Sequence, residues 1–311
     1  MQENYPVMVS IYTATYNHEK YIAQTLDSVL MQKTQYSYEV LVGEDVSTDS
    51  TRAILQDYER RYPGKFTMFY REHNMSHETC SNTIDLKLRC RGKYIICLEG
   101  DDYWTDEYKL EKQVSFLESH PEYIGVAHNC VVVDENSAPN GETYPECKDE
   151  EYTFRHFLRG QLPGQAATVM CRNYMIDDTF DKSLVTLNLS PGDRLTFFSV
   201  LCHGRIYCMQ EVMSAYRHVT HKGSSYSATT RFNYENDKRF GEVLTQYAAK
   251  HCDRDVVRNL TYMQLVVILK AAVMRQITLA AAFKAYRKLP DRLAVLGLAV
   301  KRQFCKRVLH K

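Results

Sequence analysis

The sequence is short of everything that would mark a special class of chain. Its 311 residues include only 13 glycines and 8 prolines, which excludes collagen-like and low-complexity architectures. With 44% hydrophobic against 25% charged residues, disorder along the whole length is excluded as well. Net charge is nearly absent: 39 basic and 38 acidic residues leave +1, too little for a nucleic-acid binder that relies on bulk positive charge. The ten cysteines contain no C-x-x-C pair, so a zinc site built on close-spaced pairs is excluded. Several lie in apolar runs, such as Tyr94-Ile95-Ile96-Cys97-Leu98, as free buried thiols do in a reducing compartment. The start, Met1-Gln2-Glu3-Asn4-Tyr5-Pro6, has neither the basic nor the apolar part of a signal peptide. The longest uncharged stretch near the C-terminus, Asn259 to Leu269, is too short to span a bilayer. The expectation is a soluble, cytoplasmic protein.

What is present is a rhythm. Val7 to Thr13 is a β-rich run, followed by Asn17 as a cap and a helical pattern from Glu19 to Met31. Glu39–Gly43, Phe66–Tyr70 and Tyr94–Leu98 are further strands. Helical patterns follow them over Ser50–Arg61, behind a Ser47-Thr48-Asp49-Ser50 capping cluster, and over Asn82–Arg89 and Lys109–Ser119. This alternation predicts an α/β fold with a mostly parallel sheet covered by helices. After a strand over Gly125–Val133 the rhythm breaks into a polar excursion at 134–150. Strands over Ala167–Cys171 and Arg205–Met209 then flank a helix over Asp193–Cys202, and a loop rich in Ser and Thr covers 222–230. From residue 231 the pattern is helical, which sets the domain boundary near 230: a large α/β domain at 1–230 and a helical region at 231–311.

Ligands of parallel α/β sheets bind at the carboxyl ends of the strands. Here the first strand ends in Thr13-Ala14-Thr15-Tyr16-Asn17, the second in Glu44-Asp45, and the fourth in Glu99-Gly100-Asp101-Asp102-Tyr103-Trp104. Three carboxylates in four positions repel one another and lose hydration when buried. A divalent cation such as Mg²⁺ or Mn²⁺ would relieve both penalties; the alternative is a solvated acidic turn before the next helix.

The segments 9–22, 39–51 and 97–104 together resemble the signature of glycosyltransferase family 2. The resemblance implies a GT-A fold, a nucleotide-diphosphate-sugar donor and inversion at the transferred sugar. It implies that Thr13, Thr15 and Tyr16 line the nucleotide base and that Asp45, beside Glu44, hydrogen-bonds it, normally as uracil. Nucleotide-sugar binding then falls in about residues 1–130 and the acceptor side in about 131–230. Asp101 and Asp102 match the D-x-D metal and diphosphate motif, with Glu99 in its first acidic place, so Mn²⁺ or Mg²⁺ is expected on Asp102, Asp101 and Glu99. Gly192-Asp193 matches the catalytic base at the start of a later helix, where a carboxylate would take the proton of the attacking hydroxyl; an N-cap aspartate is the alternative. Tyr216-Arg217-His218 and His221-Lys222 match residues near the diphosphate. Arg217 and Lys222 would pair with phosphates, and His218 or His221 would touch the metal or the diphosphate.

The expected partners are a UDP-sugar donor, a glycan or lipid-linked acceptor, and no nucleic acid. Two competing classes are a nucleotidyltransferase, which would want a Gly- and Lys-rich loop that 13–17 lacks, and a sugar-nucleotide-binding scaffold without turnover. The charge is unevenly divided: residues 1–283 carry 30 basic and 37 acidic residues, or −7, and 284–311 carry 9 and 1, or +8. This basic tail is expected to lie on an anionic membrane surface, at the inner face of the cytoplasmic membrane, the alternative being a solvated helix packed against the domain.

Overall fold

The computed structural model of the chain describes residues 5–219 and 231–298. It divides into two units, 1–188 with 192–229, and 189–191 with 230–311. In the larger unit, β1 (Val9–Thr15), α1 (Ile22–Leu30), β2 (Tyr38–Glu44), α2 (Thr51–Arg61), β3 (Thr67–Tyr70), α3 (Asn82–Arg89) and β4 (Tyr94–Cys97) alternate as the sequence predicts. They are followed by β5 (Tyr103–Trp104), α4 (Lys109–Ser119), β6 (Tyr123–Val133), β7 (Glu151–Tyr152), α5 (Phe154–Leu158), a 3-10 turn at Ala166–Thr168, β8 (Met170–Arg172), α6 (Gly192–His203) and β9 (Arg205–Arg217).

The nine strands among the described residues form one sheet in the order β3-β2-β1-β4-β8-β6-β9-β5, with β7 beside β9. Strands β3, β2, β1 and β4 are mutually parallel, and so are β6 and β9; β8 runs antiparallel between β4 and β6. The parallel core needs both of its faces covered. Val9, Ile11, Val40, Val42 and Ile96 of the strands are therefore packed in one buried cluster with Ile22, Leu26, Leu55, Leu110 and Val114 of the helices. Burial of each such side chain contributes roughly 1.5–3 kcal/mol before conformational entropy is counted.

Two glycines mark close approaches. A Cβ on Gly92 would lie 2.6 Å from Ser10 N, so the turn into β4 seats directly on β1. A Cβ on Gly100 would lie 2.6 Å from Thr15 Oγ1 and 2.8 Å from His18 Nδ1. The chain beyond β4 is thereby pressed against the chain beyond β1.

Several expectations are corrected. Asn17 is not the cap of α1: Tyr21 holds that place, and Asn17 lies at φ 57, a left-handed conformation that Asn tolerates better than most residues. The run 167–171 splits into the 3-10 turn and β8. The strand from Arg205 continues to Arg217 because the whole length of β6 pairs with it.

The smaller unit contains α7 (Tyr234–His251), α8 (Arg254–Val273) and α9 (Leu279–Arg287), capped by Asn233, Asp253 and Thr278 through side-chain acceptors. Its apolar centre includes Tyr234, Leu265, Ile268, Ala271 and Ala282. The 20-residue α8 runs past both ends of the uncharged stretch. An 18-residue window of it has a mean hydropathy of 1.4, so by length and composition alone the helix is long and apolar enough to cross a membrane, although its uncharged stretch is not. One side of it is tied to α7 by Gln264 Nε2, which donates to Gly241 O (3.0 Å) and Thr245 Oγ1 (2.6 Å).

Candidate active site

Parallel pairing brings the carboxyl ends of β1, β2 and β4 to one edge of the sheet, and the chain leaves each strand in a polar loop. The loops after β1 and β2 are cross-linked. Asn17 N donates to Ser47 Oγ (3.0 Å), Asn17 Oδ1 accepts from Thr48 N (2.8 Å), and Asp49 Oδ2 accepts from Glu19 N (3.1 Å). Val46, a β-branched residue at φ 62, is strained in this loop directly after Asp45.

Thr13 is fully buried and its Oγ1 has no hydrogen-bond partner, an orphan hydroxyl at the sheet edge. Thr15 Oγ1 lies 3.2 Å from His18 Nδ1, while Tyr16 is exposed. Asp45 is buried; its Oδ1 accepts from Met75 N (2.8 Å), and burial raises its carboxyl above the ordinary range. Glu44 is turned inward: its carboxylate accepts from Ser47 N (2.5 Å) and pairs with Arg52, so it supports the loop from beneath.

The acidic segment after β4 does converge. One carboxylate oxygen from each of Glu99, Asp101 and Asp102 lies within 4.8 Å of the others. The three are unequal in accessibility. Asp102 is 1% exposed, and its two oxygens accept from Arg217 N (2.7 Å) and Gln165 Nε2 (2.6 Å). Burial, with Asp101 and Glu99 adding repulsion, holds its carboxyl well above the usual range. Glu99 is solvent-accessible but crowded by protein; this crowding and the Asp101 and Asp193 carboxylates push it up to about 8. Access therefore reverses the sequence order, in which Asp102 came first: Glu99 and Asp101 face outward and Asp102 anchors the segment.

Asp193 stands in the first turn of α6, with Oδ1 accepting from Arg194 N (2.7 Å). Burial raises its carboxyl, partly offset by Arg194 and by Lys87, whose buried Nζ donates to Thr196 Oγ1 (3.1 Å) one turn along the helix. A carboxylate of raised pKa that is partly accessible and close enough to Glu99 to repel it has the chemistry to accept a proton.

Arg217 corrects an expectation. It was to bind phosphate, but it is 1% exposed and its guanidinium is enclosed by protein acceptors. Nε donates to Asp101 O (2.9 Å), Nη1 to Asp134 O (2.8 Å), and Nη2 to Gln24 Oε1 (2.8 Å) and Ser137 Oγ (3.1 Å). Tyr21 lies beneath it at 4.3 Å. It is the clamp that holds the acidic segment and the 134–150 excursion together. His218 lies outside the carboxylate trio, with Nδ1 2.5 Å from Glu142 Oε2. His221 and Lys222 lie outside the described residues.

Trp104 is core: its Nε1 donates to Ala167 O (3.1 Å) and Lys109 Nζ lies 4.2 Å from its ring. Sequence reasoning missed His18, whose Nε2 lies 4.0 Å from Asp101 Oδ2, and the buried Lys87 beside α6. An i+3 spacing from Thr15 was the only local sign of the first. Nothing local marks the second.

Comparison with known proteins fits this geometry. The family described as glycosyl transferase family 2 matches residues 10–179. Rv1520 of Mycobacterium tuberculosis (strain ATCC 25618 / H37Rv) is 33% identical over 71% of this chain, a match that spans 62% of that relative. TuaG of Bacillus subtilis (strain 168), named for teichuronic acid biosynthesis as a glycosyltransferase, is 30% identical over 71% of this chain and 83% of its own length. Among solved structures, Staphylococcus aureus TarS 1–349 in complex with UDP-GlcNAc superposes with a TM-score of 0.66. That match covers 92% of this chain and 82% of that one at 17% identity, a likeness of fold.

Proposed function

Because the chain belongs to glycosyl transferase family 2 and has its GT-A fold, we propose that it is an inverting glycosyltransferase. It takes a UDP-sugar and delivers the sugar to a hydroxyl of a glycan or lipid-linked acceptor, in bacterial cell-surface polysaccharide or lipopolysaccharide assembly. The observation that carries this reading is the meeting of Glu99, Asp101 and Asp102 beyond β4 with Asp193 at the head of α6. The names of TuaG and of UDP-GlcNAc-bound TarS support the choice of pathway and donor.

The carboxylate trio fits a hard divalent cation such as Mn²⁺ or Mg²⁺, since three oxygen donors within 4.8 Å repel one another without one. Glu99 and Asp101 would hold it, with Asp102 behind them; when bound, it supplies charge to stabilise the departing diphosphate. Thr13, with its unpartnered buried hydroxyl, Thr15 and Tyr16 line the nucleotide side, and Asp45 accepts from the base N–H. Asp193 takes the proton of the acceptor hydroxyl as its oxygen bonds to the anomeric carbon. The bond from that carbon to the diphosphate breaks, and UDP leaves with the electron pair.

Calorimetric titration of UDP with and without Mn²⁺, followed by UDP release from a set of UDP- and GDP-sugars, tests this. Metal-enhanced UDP binding with release is the expected result. Binding without any release would leave only a sugar-nucleotide-binding scaffold, and preference for a nucleoside triphosphate would point to nucleotidyl transfer.

A further inference from the structure

The smaller unit leaves a row of large apolar side chains uncovered. On α8, Val266, Leu269 and Val273 follow one another at i, i+3 and i+7, so they share one face of the helix, opposite the one that packs on α7. Val273 is 83% exposed. The row continues through Met274 into the turn and onto α9, where Leu279 is 81% exposed and Phe283 62%. Isolated exposed apolar residues are ordinary, but six on two consecutive helices and the turn between them make a surface built to be covered.

Charge identifies what covers it. From Asn259 to Leu298 there are six basic residues, at 270, 275, 284, 287, 288 and 292, and one acid, Asp291. Asp291 is paired with Arg254 (3.2 Å), and Asp255, at the far end of α8, with Arg258 (2.9 Å). Arg275, Lys284, Arg287 and Lys288 are exposed and have no acidic partner among the described residues. On α9, Lys284 and Arg287 flank Phe283, so apolar and cationic groups share the outward side of one short helix. This is the chemistry of a helix lying in the interface of an anionic bilayer, with its rings in the acyl boundary and its cations among the headgroups. It is not the chemistry of a spanning helix, since the other side of α8 is occupied by the polar contacts of Gln264 with α7.

We infer that the α8–α9 hairpin is a peripheral docking surface for anionic lipid, with Val273, Leu279 and Phe283 inserting and Arg275, Lys284 and Arg287 meeting the headgroups. Of the basic tail, residues 299–311 lie outside the described residues. The inference is independent of the proposed catalytic reading, because it concerns only the smaller unit.

Co-sedimentation of the full chain with phosphatidylcholine vesicles, alone or containing phosphatidylglycerol, tests it. The chain should pellet with the phosphatidylglycerol vesicles and be released by high salt. Leu279→Ser with Phe283→Ser should weaken binding by at least about tenfold, and Lys284→Gln with Arg287→Gln by about 25-fold, from roughly fivefold per charge. All four side chains are exposed, so circular dichroism and UDP binding should stay native. Equal binding to both vesicle types, or unchanged binding by both double variants, would overturn the proposal. So would vesicle-bound chain that resists salt and alkaline extraction, or a dimer in vesicle-free solution that the Leu279→Ser/Phe283→Ser change dissolves.

Discussion

Arg217 stands where a phosphate partner is expected, yet its charge is enclosed by the carbonyls of Asp101 and Asp134 and the side chains of Gln24 and Ser137. Arg217→Met would keep most of the volume but remove every donor of the clamp, stranding Asp101 O at about 1–3 kcal/mol and leaving Asp134 O with Ser137 N alone. A loss of roughly 3 kcal/mol is expected in urea unfolding; a stability unchanged from native would refute the clamp. Asp193 sets a second expectation. Burial raises its carboxyl, so its ionised form is lost at a higher pH than that of an ordinary aspartate. The kcat/KM profile should therefore fall on acidification through that raised value, with full activity above it. The acids at the strand ends were legible in the sequence because their places follow from topology. The inward turn of Arg217 was not, because its acceptors lie 80 to 193 residues away in the chain.

At the level of elements, the site depends on how tightly the chains leaving β1 and β4 are pressed together. Gly100→Ala would drive a methyl into Thr15, which is proposed to line the nucleotide side, and into His18 beside Asp101, whereas the apolar core lies elsewhere. UDP affinity should fall by about tenfold or more with a destabilisation of about 1–3 kcal/mol. Calorimetry beside thermal unfolding separates the two, and native UDP affinity would contradict the placement. Local pattern determined some elements to the residue: α3 and α4 begin and end where apolar periodicity and the approach of Pro121 put them. It failed where pairing decides. β5 is two residues long and exists only because Ala215 and Ser214 lie opposite it, and β9 extends to Arg217 along β6. Asn17 has the composition of a cap but serves instead as a bridge to Thr48.

At the scale of the whole molecule, the near-zero net charge conceals a strained acidic centre and a basic end. Glu99, raised to about 8, keeps a proton in the folded protein that the unfolded chain has already lost near its ordinary value. Its contribution to stability is thus favourable at lower pH and is lost as pH rises through about 8. Thermal unfolding of Glu99→Gln against native should show an advantage for the variant that grows from about pH 6 to about pH 9. Mn²⁺ should narrow that advantage by stabilising the native protein; a gap independent of both pH and metal would argue against a shared cation site. The central claim, that Asp193 is the base of a UDP-sugar transferase, is tested most directly by Asp193→Asn assayed for sugar transfer and for UDP binding with Mn²⁺ in parallel. Turnover should fall by about 10²–10⁴-fold while UDP affinity stays close to native. Transfer at the native rate by the Asn variant would contradict the account.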